Sequence, residues 1–185
     1  DAQESRGLGD VYKRQLLNRA TQGLYPPGST FKILTTLEYI RENPDYQSYS
    51  YDCESEGIFN SVSIHCYNYK VHGTVDLEQS LAYSCNTSFS NIGIGLDTDA
   101  LNKLCETFLY NQELPYDGYY SKSSYKLDSK TNKSYIPQAV IGQGDTLITP
   151  LHNAMIMCAI ANGGVLMKPY LMDRIENCDG SIVKK

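Results

Sequence analysis

Two periods of apolar residues run through this chain. Behind LYPPGS at positions 24–29, the stretch STFKILTTLEYIREN places Phe31, Leu34, Leu37 and Ile40 three apart, which sets them on one face of a helix. Asn43-Pro44 closes that helix, since proline lacks an N–H and disfavours helical backbone in the residue before it. Asp76, a favoured N-cap type, opens a short helix with Leu77, Leu81 and Ala82 on one side. SCNTSFSNIGIGL reads as helical with a break at its glycines. Behind the acidic caps of DTDALNKLCETFLYN, Leu101, Leu104, Cys105 and Phe108 again fall at helical spacing. The clearest helix takes Thr149 as N-cap, carries Pro150 in its first turn and closes at Gly163-Gly164.

The second period is two. Residues 45–73 contain short alternating pieces such as Val62-Ser63-Ile64-His65 and predict loops and short strands. Residues 165–167, 170–175 and 181–183 predict strands, the last two joined by a hairpin turn at Asp179-Gly180. Residues 116–135 are poor in aliphatics and rich in Ser, Lys and Tyr, which predicts a solvated surface loop. Residues 1–15, DAQESRGLGDVYKRQ, carry charge and glycine without periodicity. They are set apart as a foreign or disordered segment, with a native linker as the alternative, and residues 16–185 are taken as the folded part.

A chain of 185 residues can bury one real core. A net charge of -5 without a basic block argues against nucleic acid. The longest apolar run, residues 154–161, is too short to cross a bilayer, and no signal peptide is visible. The six cysteines stand singly and suggest neither a disulfide framework nor a paired metal motif.

The chemistry starts at LYPPGSTFK. Two prolines and Gly28 hold the chain and then release it into the helix, so Ser29 falls at the helix start, where unpaired N–H groups favour negative charge. Lys32 follows on the same face. The bare S-x-x-K pattern is weak evidence, because it occurs three times: Ser29/Lys32, Ser123/Lys126 and Ser181/Lys184. Only the first begins a helix; the second lies in the polar segment, and strand geometry puts the third pair on opposite faces. Ser84-Cys85-Asn86 is the only S-x-N in the chain. A hydroxyl and an amide at that spacing can enter one cleft, the first relaying a proton and the second orienting lysine and substrate. Taken alone, the same residues read first as a helix N-cap, which Ser or Asn supplies routinely.

NRATQGLYPPGSTFKILT, HGTVDLEQSLAYSCNTSF and IGQGDTLITPLHNAMIMCAIANGG, in this order, resemble the transpeptidase domain of penicillin-binding proteins, in wording the monofunctional class B type. The resemblance implies an α+β fold of the serine transpeptidase/β-lactamase type, here mostly its helical part with an incomplete sheet. It implies Ser29 as acyl-accepting nucleophile, Lys32 as general base, Ser84 and Asn86 as second motif, and Gly142, Gln143 and Gly144 along the cleft, where a plain turn explains them equally. The implied reaction is a two-step acyl transfer. Ser29 attacks the D-Ala-D-Ala bond of a peptidoglycan stem peptide, and an amine of a neighbouring stem resolves the acyl-enzyme; β-lactams acylate the same serine. Related outcomes are a D,D-carboxypeptidase, a β-lactamase or a non-catalytic β-lactam sensor. The implied partners are stem peptides or their lipid-linked precursor, β-lactams and a membrane glycosyltransferase, with no cofactor. The implied location is the extracytoplasmic face of the bacterial plasma membrane, through an anchor outside this chain.

One departure stands out: the family's Lys-Thr-Gly or Lys-Ser-Gly motif is missing, as no lysine here has a glycine two residues later. The chain is therefore expected to be a fragment that catalyses poorly alone, because losing one oxyanion donor costs about 10²–10³ in rate. Its uncovered helix faces are expected to favour aggregation. Cys53, His65, Cys66 and His72 match no known zinc spacing, and no metal is expected. Cys53 and Cys66 are open to a disulfide or to free thiols. Cys85 reads as a small filler, and Met155, Met157 and Cys158 as core.

Overall fold

The computed structural model describes residues 17–184; the segment 1–15 set apart above lies outside them. A tight 3-10 turn, Gly28–Phe31, leads into α1, Lys32–Glu42, which ends at Asn43. Phe31 and Leu34 are buried, with Leu37 and Ile40 packed against the core they enter. Asp76 caps α2, Leu77–Ala82, in a reciprocal capping box with Gln79. Next come α3, Asn86–Gly95, and α4, Thr98–Thr107, the latter capped by the Asp97 side chain. A short α5, Ile136–Ala139, precedes α6, Pro150–Ala161, whose N-cap is Thr149.

Helix α1 packs against α3 and α4, and α3 against α5. Three two-stranded antiparallel ribbons complete the fold. β1, Tyr51–Cys53, pairs with β4, Gly73–Val75. Between them β2, Glu56–Phe59, pairs with β3, Val62–His65. β5, Ile175–Glu176, pairs with β6, Ile182–Lys184. The expected helix-rich α+β arrangement with an incomplete sheet is what the described residues form.

Four expectations need correction. Gly93 does not break α3; it lies inside it, where a Cβ would come within 2.5 Å of Val140. Absence of a side chain there serves the α3–α5 approach. Residues 116–135 are not simply solvated, because Ser123, Tyr125 and Leu127 alternate inward while Lys126 and Asp128 point out. The segment runs extended, with Ser124 bridged to Leu147, and the Tyr125 ring stacks on Phe31 at 5.2 Å. Of the strands expected at 165–167 and 170–175 only Ile175 enters a ladder, since among the described residues no neighbour pairs with the rest; Val165, Met167, Tyr170 and Leu171 are exposed. Cys158 is exposed rather than core, while Met155 is buried. The Asp179-Gly180 turn does join the last two strands.

Candidate active site

Ser29 reaches the surface through an unusual turn. Gly28 has φ 57, a left-handed conformation that glycine adopts freely. Its N–H donates to the Gly142 carbonyl at 2.9 Å. Gly142, itself at φ 73, leaves no room for a side chain: a Cβ would sit 2.2 Å from the Gly28 oxygen. Two glycines from distant parts of the sequence thus lock the backbone ahead of the serine. The preceding segment is fixed too, Tyr25 exchanging both backbone hydrogen bonds with Ile148 at 3.0 and 2.8 Å in an isolated bridge.

One turn on, Lys32 is fully buried, with 0% of its surface exposed. Its Nζ donates to the Ser84 carbonyl at 2.7 Å, to Asn86 Oδ1 at 2.6 Å and to Ser84 Oγ at 2.9 Å. Ser29 Oγ lies 3.5 Å away. The Ser84 hydroxyl donates to Ser29 Oγ at 2.7 Å and so stands between that hydroxyl and the amine. Phe89 adds a ring face 5.5 Å from Nζ. Burial lowers the Lys32 pKa to about 8 against an opposing pull from the Cys85 and Cys66 thiols. No carboxylate contacts the amine among the described residues, and a buried ammonium without a counter-ion gives up its proton more readily.

Ser84 is held at φ 53 by its own N–H, which donates to the Leu81 carbonyl at 3.0 Å, and by the Cys85 N–H, which donates to the Ser80 carbonyl at 2.9 Å. Such a conformation costs a non-glycine residue about 1–2 kcal/mol. The strain turns the hydroxyl toward Lys32 while Cys85, rather than Ser84 or Asn86, caps α3. Asn86 completes the bridge, its amide donating to the His65 carbonyl at 3.0 Å.

These groups open on a cleft of about 800 Å³. Ser29, Ser84 and Asn86 line it together with Gln143 and Gly144, while Gly142 lies behind the serine turn. The cleft also takes in Tyr67, Lys70, Tyr83 and Gln138; the only signal for Tyr67 and Lys70 is the aromatic and basic run YNYK in a polar loop, and Tyr83 sits directly before the S-C-N residues. The lining contains Lys70 and no carboxylate, although the chain as a whole is acidic. That balance favours an anionic ligand. Of the residues considered for metal, His65 stands apart, its Nδ1 3.1 Å from the Cys66 carbonyl oxygen and its ring stacked on Tyr69. Cys53, Cys66 and His72 come together instead with Cys85.

The family model of the penicillin binding protein transpeptidase domain matches residues 2–185. The chain belongs to the penicillin-binding-protein transpeptidase family. Among curated members it is 31% identical over 179 residues to the peptidoglycan D,D-transpeptidase PbpA of Mycolicibacterium smegmatis, covering 93% of this chain and 36% of that protein. To PbpA of Mycobacterium tuberculosis it is 32% identical over 183 residues, covering 96% of this chain and 37% of that protein. This family member therefore spans a little over a third of the length of those relatives. The solved imipenem acyl-enzyme complex of M. tuberculosis penicillin-binding protein A superposes with a TM-score of 0.83 at 30% identity, over 99% of this chain and 43% of that one. The D,D-transpeptidase domain of an Eggerthella lenta peptidoglycan glycosyltransferase gives 0.77 at 28% identity, over 90% of this chain and 44% of that one. The fold is thus the serine transpeptidase type, represented here by its helical part.

Proposed function

We propose that this chain carries the nucleophile and base of a peptidoglycan D,D-transpeptidase that penicillin acylates. The observation that carries the reading is the buried Lys32 amine, held by Ser84 and Asn86 within reach of Ser29. The Ser84 carbonyl and Asn86 Oδ1 can only accept hydrogen bonds, so a neutral Lys32 satisfies both with its two N–H groups and turns its lone pair to the hydroxyls. The Ser29 proton passes to Ser84 over 2.7 Å and from Ser84 to Lys32 over 2.9 Å, a shorter route than the direct 3.5 Å. Ser29 Oγ then bonds to the carbonyl carbon of the penultimate D-Ala. The amide C–N bond breaks, and the terminal D-Ala leaves with the proton returned by Lys32. An amine of a second stem peptide attacks the ester, forms the cross-link and restores Ser29. The N–H of Ser29, at a helix start, serves the oxyanion. Gln143 and Gly144 line the path of the donor peptide.

The PbpA relatives support this reading, and the anion-favouring cleft suits a substrate that ends in a carboxylate. On the same reading the domain continues into a Lys-Thr-Gly strand outside these residues. The whole protein works at the outer face of the plasma membrane on stem peptides or their lipid-linked precursor, beside a membrane glycosyltransferase. Among the described residues no helix is long and apolar enough to span a membrane.

The test is fluorescent penicillin labelling of the complete protein, followed by peptide mapping. One stable adduct per chain on the Ser29 peptide, absent in Ser29→Ala, is expected. An adduct elsewhere or none in a folded protein overturns the reading. Rapid release of hydrolysed penicillin reassigns the site to a β-lactamase.

A further inference from the structure

Behind the S-C-N turn, Cys53 at the end of β1, Cys66 just after β3, His72 just before β4, and Cys85 ahead of α3 converge. Their ligand atoms all lie within 4.8 Å of one another, and the three thiols are buried. Cys53 Sγ is 3.7 Å from Cys66 Sγ and 3.3 Å from His72 Nδ1, and Cys66 Sγ is 3.7 Å from Cys85 Sγ. We infer that Cys53, Cys66, Cys85 and the His72 imidazole form a tetrahedral zinc site that pins the turn carrying Ser84 and Asn86.

A tetrahedral zinc with Zn–S bonds of about 2.3 Å sets its sulfurs roughly 3.8 Å apart. A disulfide would bring one pair to about 2.0 Å and leave the third thiol and the imidazole without a role. Three thiolates and one imidazole are a soft donor set that suits zinc and closes its shell with no position for water, as in a structural site. Outer contacts are in place as well. The Thr87 hydroxyl donates to Cys53 Sγ at 3.3 Å, and the Ser88 N–H donates to Cys85 Sγ at 3.5 Å. The His72 ring is held by stacking on Tyr83 at 5.7 Å. Such contacts orient metal ligands. Binding releases the thiol protons and leaves His72 neutral. The ion then joins both strands of the β1–β4 ribbon, the turn after β3 and the cap of α3. Because Cys85 lies between Ser84 and Asn86, the metal holds both residues that grip Lys32.

The test is the metal content of the complete protein, purified without added metal. About one zinc per chain is expected. Cobalt exchanged into the site should give the visible bands of tetrahedral thiolate coordination, lost in Cys66→Ser. Thr87→Val, which keeps every ligand and the residue's shape, should bind zinc about 10–100-fold more weakly. Chelation should lower the melting temperature, with zinc but not magnesium restoring it. A folded protein that takes up no zinc, a disulfide among these cysteines in the native protein, or a Cys66→Ser variant with undiminished zinc overturns the proposal. Slower penicillin labelling after chelation is also expected; that arm alone rests on the proposed acyl transfer, and zinc content decides the site without it.

Discussion

Ser29/Lys32 and Ser123/Lys126 share the same spacing, yet the fold turns them inside out. In the first pair the lysine is fully buried and the serine faces the cleft. In the second the serine is buried, 1% exposed, and the lysine lies at the surface. Ser123 Oγ donates to His152 Nδ1 at 2.7 Å, and His152 Nε2 donates to the Phe108 carbonyl at 2.7 Å. That assignment follows from the carbonyl, which can only accept. Burial keeps this imidazole neutral by lowering its pKa. The second pair therefore fastens an extended segment to α6, whereas the first presents a hydroxyl beside a deprotonatable amine. A motif of two residues specifies chemistry only through what surrounds its lysine.

The sharpest way to break this contrast is to remove each amine in turn. Lys32→Met in the complete protein should slow penicillin acylation about 10²–10⁴-fold, the usual worth of a positioned base. Lys126→Met should leave the acylation rate unchanged and shift stability by less than about 0.5 kcal/mol, as surface changes do. Stopped-flow or gel-based labelling rates decide between them. Equal losses in the two variants would mean that burial does not set the roles apart.

The next effect is graded by pH. With the Lys32 pKa lowered to about 8 by burial, the neutral, proton-accepting form dominates only above that value. The acylation rate should rise about tenfold per unit as pH approaches 8 from below and then level off. The sign follows from the base: protonation removes the lone pair. A rate flat between about pH 6 and 9 would place the working base elsewhere.

Most of the helical scaffold could be read from the chain because each helix declares itself locally. Asp76, Asp97 and Thr149 cap their helices through their own side chains, and Phe31 and Leu34 mark the buried face of α1. The serine, lysine and S-C-N residues were equally legible, since two motifs and their order restrict what they can build. Long-range information was hidden. Nothing near Gly142 announces that it must admit the Gly28 oxygen, and nothing near Cys85 announces two cysteines and a histidine arriving from the preceding ribbons. The inward alternation of Ser123, Tyr125 and Leu127 was present, but serine and lysine masked it. Strand patterns at 165–167 and 170–175 were visible, yet a strand needs a partner before it exists, and only Ile175 found one.

The smallest effect tests the quieter half of the comparison. Ser123→Ala removes both the donor to His152 Nδ1 and the acceptor of a second, longer contact, the Thr149 N–H to Ser123 Oγ at 3.4 Å. Both partners are fully buried, so no water replaces the hydroxyl. Leaving such groups unsatisfied should cost about 1–3 kcal/mol of stability, read from denaturant unfolding of the complete protein. The acylation rate below the transition should stay at the parent value, because Ser123 does not line the cleft that holds Ser29. A variant of normal stability would mean that His152 finds another donor. A folded variant with slowed acylation would carry the influence of α6 into the active site and erase the distinction between the two pairs.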